Sequence, residues 1–179
     1  NVPADVTELT VQWTAPTYAV TLNTNGGTIN NGNVTEYTYG VGATPPAADD
    51  MTYTGHTFKG WYDNEGLTGS PVTAIGGTEM GNKEYWAKWE INQYTITYDL
   101  AGGTVEGNPD TYTVEMDTFT LKNPTRPGYT FTGWDKAFTN ITADLVVTAQ
   151  YEMLGDVDGD GNVSMADALT ILRMAMDIL

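Results

Sequence analysis

Three blocks of this chain recur in the same order, and a chain built of repeats folds as a series of like units. YAVTLNTNGGTI begins at Tyr18 and returns as YTITYDLAGGTV at Tyr94, 76 residues later. GHTFKGW ends at Trp61 and GYTFTGW at Trp134, 73 residues apart; YWAKWE ends at Glu90 and VTAQYE at Glu152, 62 apart. The shrinking offset means that the second copy has lost residues between its blocks. DNEGLTGSPVTAIGGTEMGNK, from Asp63 to Lys83, is the longer form of that segment, and DKAFTNITADL from Asp135 is the shorter. The leading ADVTELTVQW (Ala4 to Trp13) is similar to the ADLVVTAQY that closes the second copy. Residues 1–14 therefore read either as the last strand of an upstream repeat or as an added first strand. Asn1 falls within a module, so a longer parent protein is expected, its signal peptide outside this stretch.

Each block alternates as a half-buried strand does. Tyr94, Ile96, Tyr98 and Leu100 share one face, with Thr95, Thr97 and Asp99 on the other; Tyr18, Val20 and Leu22 follow suit. NGG (Asn25 to Gly27) and AGG (Ala101 to Gly103) supply the positive-φ positions of a hairpin turn. EYTYGVG and DTYTVEM are the expected return strands. Pro45–Pro46 and NPTRPG (Asn123 to Gly128) forbid regular helix and mark irregular connections. The fold class is mainly β, with repeats over residues 15–92 and 93–153. Ile91, Asn92 and Gln93 alone separate the copies, which predicts a semi-rigid string suited to a spacer or stalk.

These blocks resemble the internalin-type B-repeat, also called the Listeria–Bacteroides repeat: a Tyr-led strand ending in NGG, a GYTFxGW strand and a closing YAxW strand. His56 stands where Tyr is usual, and Tyr151 where Trp is commoner. The resemblance implies a small β-grasp-like module in secreted or surface-anchored bacterial proteins, with no catalytic residues to carry over.

Charge and composition narrow the function classes. Acidic residues number 23 against 7 basic ones, a net charge of −16, so phosphate backbones and anionic lipid lack their main attraction. No nucleic acid is expected as a partner. No run of 18 apolar residues is present, so no membrane-spanning helix is expected. The absence of cysteine excludes disulfides, thiolate metal sites and cysteine nucleophiles. His56, the one histidine, sits at an aromatic strand position and reads as structural, and Asp49–Asp50 read as solvated loop acids. Trp61, Trp86 and Trp134 are candidate sugar-stacking rings. Trp61 and Trp134 occupy repeat-signature positions that also suit a core; Trp86 falls on the strand face opposite Tyr85, Ala87 and Trp89. Cell-wall or host glycans are accordingly candidate partners.

Residues 154–179 differ in kind. Counting from Asp156, side-chain oxygens fall at positions 1 (Asp156), 3 (Asp158), 5 (Asp160), 9 (Ser164) and 12 (Asp167), with Gly161 at 6. Asn162 at position 7 would offer its backbone carbonyl. This is EF-hand spacing, matched to an ion that takes roughly six to eight oxygens at about 2.4 Å. Ca2+ is the expected cofactor, since carboxylates so close repel unless a cation lies between them. A single helix is expected from Ala166 to Leu179. Thr170, Arg173 and Asp177 form a narrow polar stripe, and apolar side chains cover the rest, so the helix needs a partner surface.

GDVDGDGNVSMADALTILRMAM resembles one calcium-binding segment of a dockerin, a module that normally pairs two such segments and plugs into a cohesin domain. The resemblance implies Asp156, Asp158, Asp160, Asn162, Ser164 and Asp167 as ligands. It implies Met165, Ala166, Leu172 and Arg173 as cohesin-facing positions, to which Leu169 and Met176 add on the apolar face. Met165–Ala166 departs from the commonest Ser–Thr pair, and the second segment is missing. The partner is either a cohesin-like domain or the missing half. The expected function is a non-catalytic extracellular bacterial module that spaces, adheres and docks, in which case the chain is no enzyme. The alternative is a carbohydrate- or host-receptor-binding adhesin.

Overall fold

The structure, a computed structural model, describes residues 10–117, 119–137 and 142–176. Two compact units divide the chain between Ile91 and Asn92. Ten strands and one helix are formed among the described residues. The mainly β expectation, with a single C-terminal helix, is met. Thr10 to Pro16 take no regular structure, and residues 1–9 of the leading stretch lie outside the described residues.

In the first unit β1 (Thr17–Asn23) leads through a turn to β2 (Thr28–Ile29) and returns as β3 (Glu36–Thr38). The Pro45–Pro46 connection ends in a short 3-10 turn at Ala48–Asp50, followed by β4 (Met51–Thr52), β5 (His56–Tyr62) and β6 (Lys83–Ile91). The sheet order is β3-β1-β6-β5. β1 runs antiparallel to β3 and parallel to β6, and β5 is antiparallel to β6. β2 and β4 form a separate two-stranded ribbon. Alternation along these strands sends Val20, Tyr37, Trp61, Tyr85 and Ala87 inward, where Met51 and Ile75 join them.

The second unit repeats this plan with β7 (Tyr94–Asp99), β8 (Thr111–Tyr112), β9 (Tyr129–Trp134) and β10 (Leu145–Met153), in the order β8-β7-β10-β9. Its core is Ile96, Tyr112, Leu121 and Val147. Strand register reproduces the offsets between the repeats. Leu22 pairs with Tyr85, and its equivalent Tyr98 pairs with Val147. Phe58 pairs with Trp89, and Phe131 with Tyr151.

Two devices are common to both units. At the first turn Asn25 (φ 49°) and Gly26 (φ 95°), like Ala101 (φ 46°) and Gly102 (φ 85°), take the paired left-handed conformations of a tight hairpin turn. The glycine that follows has no room for a side chain. A Cβ on Gly27 would overlap the Trp89 ring, and one on Gly103 the Tyr151 hydroxyl. The second device is a bulge: the register with the closing strand shifts between Phe58 and Gly60, and β9 meets β10 with the same shift, Phe131 and Gly133 opposing consecutive residues of β10.

After β10 the chain turns through the acidic loop into α1 (Met165–Ala175). The expected start at Ala166 lies one residue inside the helix, and 177–179 lie outside the described residues.

Candidate functional site

The loop before α1 is built from its own backbone. Asp156 Oδ1 accepts from the N–H groups of Gly159 (2.9 Å) and Asp160 (3.1 Å), and its Oδ2 from Gly161 (2.9 Å). These bonds wrap the chain around the first carboxylate, and Gly161 at φ 87° permits the reversal. Asp160 Oδ1 accepts from Asn162 N–H at 2.8 Å. Asp167 reaches back from the helix: its Oδ1 accepts from Val157 (2.7 Å) and Asp158 (3.3 Å), and its Oδ2 from Ser164 (2.6 Å). Ser164 Oγ accepts from Ala166 N–H at 3.1 Å, so Ser164 and Asp167 close a reciprocal capping box on the helix N-terminus.

One carboxylate oxygen from each of Asp156, Asp158 and Asp167 falls within 4.8 Å of the others. Asp160 lies outside that group, Ser164 is engaged as the helix cap, and Asn162 is exposed. Electrostatics separate the members. The Ser164 N–H leads the donors that hold the Asp167 carboxyl below the usual aspartate range, outweighing its desolvation. At Asp158 the Asp160 N–H pulls downward, but desolvation and the charges of Asp160, Asp167 and Asp156 together win and raise it. Clustered anionic oxygens of this kind are a hard donor set, which fits a divalent cation such as Ca2+.

Every partner-facing candidate on α1 is exposed. Met165 is 83% exposed, and Leu169, Ile171, Leu172, Met174 and Met176 lie between 46% and 53%. Ala166 and Arg173 are exposed as well. Asp167 is the one buried residue of the helix.

The three tryptophan candidates diverge. Trp61 is 2% exposed, stacks edge to face with Phe58 and donates from Nε1 to Pro46 O at 2.9 Å. It takes the core role and offers no ring to a ligand. Trp134 is half-buried against Tyr98 and Phe131. Trp86 is half-exposed and lines a cleft with the insertion. The repeat signature thus has a physical content: a positive-φ turn, a glycine under a closing aromatic ring, and a bulge that aims two rings inward.

A family model for the Listeria-Bacteroides repeat domain matches residues 18–88 and 94–157. The chain belongs to the Listeria-Bacteroides repeat family. Among its relatives are a Gly-rich membrane protein of Evansella cellulosilytica, 30% identical over 81% of this chain and 17% of that protein, and a second membrane protein of the same organism, 30% identical over 86% of this chain and 24% of that protein. Internalin H of Listeria monocytogenes is 32% identical over 63% of this chain and 20% of that protein. The chain thus spans about a quarter or less of these relatives' lengths. No solved structure matches it.

The two Listeria-Bacteroides repeats are not equally finished. Trp89 Nε1 donates to Thr24 O at 2.8 Å in the first, whereas its counterpart Tyr151 has a buried hydroxyl without a partner among the described residues of the second. Trp61 Nε1 reaches Pro46 O, but Trp134 Nε1 reaches no acceptor among the described residues. The longer first copy also covers the far face of its sheet. Tyr62 pairs across the strands with Trp86, lies under Lys88 Nζ at 5.1 Å, and is buried; that ammonium bonds Leu67 O at 3.3 Å. Sequence reasoning missed both the cap role of Asp167 and this second aromatic pair. Ser164 and Asp167 at capping-box spacing, and an aromatic pair confined to the copy with the insertion, were the signals available.

Proposed function

We propose that this chain is a non-catalytic, extracellular part of a bacterial surface or secreted protein. In it two Listeria-Bacteroides repeats act as a spacer, and a calcium-ordered segment docks a protein partner. Family membership, with relatives described as membrane proteins and as an internalin, supports the surface location. No helix among the described residues is long and apolar enough to cross a membrane. In each repeat the first strand lies parallel beside the last, an order that supports the β-grasp-like reading.

The observation that carries the docking half is the convergence of Asp156, Asp158 and Asp167 at the foot of a helix whose apolar side chains are all exposed. Asp156, Asp158 and Asp167 would hold the ion directly, with Asp160, Asn162 and Ser164 completing the loop. A cation there cancels carboxylate repulsion and couples that release to helix order. The ordered helix then presents Met165, Leu169, Leu172 and Met176 beside Arg173 to a cohesin-like domain or to a second segment of the same kind. An apolar stripe at helical spacing is the usual form of such a docking face.

Calcium titration of the whole chain by calorimetry tests the first step. The reading predicts saturable binding and a rise in the melting temperature of the helix signal, both lost in Asp156→Ala. No heat, and no change in that variant, would remove the ion from the account. Capture of a cohesin domain that requires calcium and fails in Leu169→Asp/Leu172→Asp tests the second.

A further inference from the structure

The 63–83 insertion of the first repeat does more than cover Tyr62. Together with the start of β6 it walls a cleft of about 530 Å3 whose rim holds Asp63, Asn82, Glu84 and the half-exposed Trp86. We propose that this cleft binds a neutral saccharide, with the Trp86 indole under one sugar ring and Asn82, Glu84 and Asp63 on its hydroxyls.

Among the described residues, each of the three polar rim groups is tied by one side and left with a free one. Asn82 Oδ1 accepts from Ala19 N–H at 3.1 Å, which leaves the amide nitrogen to donate. Glu84 Oε1 accepts from Asn23 Nδ2 at 2.9 Å, and Asp63 Oδ1 from Asn64 Nδ2 at 2.9 Å, so each carboxylate keeps one oxygen. An amide donor beside carboxylate acceptors matches adjacent hydroxyls, which both give and take hydrogen bonds. The side chains are held in place before a ligand arrives, which lowers the ordering cost of binding. The ring supplies the apolar contact that a sugar face, lined with C–H groups, requires.

Charge selects within saccharides. Asp63, Glu79 and Glu84 face one cation, Lys83, and Glu79 already holds it at 2.5 Å. An anionic sugar would meet two uncompensated carboxylates in a chain of net charge −16. Sulfated, sialylated and uronic residues are therefore excluded.

The second repeat acts as an internal control. Strand register places Thr148 where the first copy has Trp86, since Asn23 pairs with Trp86 and Asp99 with Thr148. By the same register Val146 replaces Glu84. Asp144 replaces Asn82 and keeps only the structural half of its role, accepting from Thr95 N–H at 2.8 Å. The oxygen that holds the strand is common to both copies. The donor and the ring belong to the first alone, and the second copy's counterpart of the wall is a shorter segment in sequence. A purely structural role for this rim gives no reason for the amide.

The test is an NMR titration of the whole chain with cellotriose, maltotriose and tri-N-acetylchitotriose, and with sialyllactose as the anionic comparison. At least one neutral trisaccharide should shift the Trp86 indole and residues 82–86 saturably, with a dissociation constant on the order of 1 mM. Residues 144–148 and the sialyllactose titration should stay silent. Trp86→Ala should abolish the shifts. Asn82→Asp copies the second repeat, keeps the bond to Ala19, and should weaken binding roughly tenfold, about the effect of one lost hydrogen bond. Silence from all three neutral sugars, shifts that survive Trp86→Ala, or an undiminished response in a folded Asn82→Asp chain would each overturn the proposal.

Discussion

Phe58 and Trp61 stand three positions apart on one strand and meet edge to face on the same side of it, their ring centroids 5.5 Å apart and their planes at 65°. On a regular strand an odd separation sends two side chains to opposite faces. The bulge before Gly60 absorbs the extra residue and brings both rings inward. Phe131 and Trp134 repeat the arrangement at 5.5 Å and 66°. The glycine before each tryptophan is therefore part of the packing, since it carries the φ that the bulge demands: 122° at Gly60 and 153° at Gly133.

Alanine at these two glycines separates strain from crowding. A Cβ on Gly60 would lie 2.7 Å from Pro71 Cβ, while one on Gly133 meets open space. Gly60→Ala should destabilise the first repeat by about 3 kcal/mol, adding overpacking to strain. Gly133→Ala should destabilise the second by about 1 kcal/mol from strain alone. Hydrogen exchange of the β6 and β10 amides in each variant reads the two losses independently. Equal losses would show that Pro71 yields freely.

The second glycine of each turn makes a sharper prediction. Gly27→Ala and Gly103→Ala need no forbidden φ, so an exposed turn would tolerate them. Here the new methyl group enters the space of Trp89 or the Tyr151 hydroxyl. Each should cost roughly 1–3 kcal/mol by overpacking, measured by urea unfolding. Gly27→Ala combined with Trp89→Ala should recover part of the loss relative to Trp89→Ala alone.

Tyr151 buries a hydroxyl that finds no partner among the described residues, at the position where Trp89 donates to a backbone carbonyl. Removing an unsatisfied polar atom recovers its desolvation cost. Tyr151→Phe should therefore stabilise the second repeat by about 1 kcal/mol. Tyr151→Trp should do at least as well by reaching Leu100 O, the counterpart of Thr24 O. A melting temperature lowered by Tyr151→Phe would show that the hydroxyl is satisfied after all.

Much of this fold was legible because strands announce themselves by alternation and turns by positive-φ residues. Tyr18, Val20 and Leu22, the NGG turn and the return strand around Tyr37 fall where the pattern puts them. The bulge was hidden, because one slipped residue leaves the hydrophobic pattern almost unchanged while swapping faces beyond it. That is why Trp61 could be weighed as a sugar platform although it is core. The cleft was hidden for another reason: Asp63 and Trp86 are 23 positions apart, and only the path of an irregular insertion brings them to one rim. At the acidic loop the spacing announced Asp156, Asp158, Asp160, Asn162, Ser164 and Asp167 as a group, of which the fold draws the carboxylates of Asp156, Asp158 and Asp167 together. Asp167 as a helix cap needed the backbone trace.

That double duty gives the acidic loop a pH signature with two opposing signs. The Asp167 carboxyl is held below the ordinary aspartate value of about 3.9 by the N–H groups it caps. Its contribution is present in full above that value and is lost as pH falls through the depressed one. Asp158 is raised, so its charged form opposes folding at neutral pH, and that opposition ends when it takes up a proton or a cation. Without calcium, helix content by circular dichroism should hold as pH falls from 7 and drop below about 4, the loss of the Asp167 cap being partly offset as Asp158 takes up its proton. With calcium the helix should be stronger at pH 7, and the increment should shrink as protons compete for Asp158. Asp167→Asn should flatten the acid drop and lower helix content at every pH above it, with or without calcium. An acid drop unchanged in that variant would place the sensitivity elsewhere in the chain.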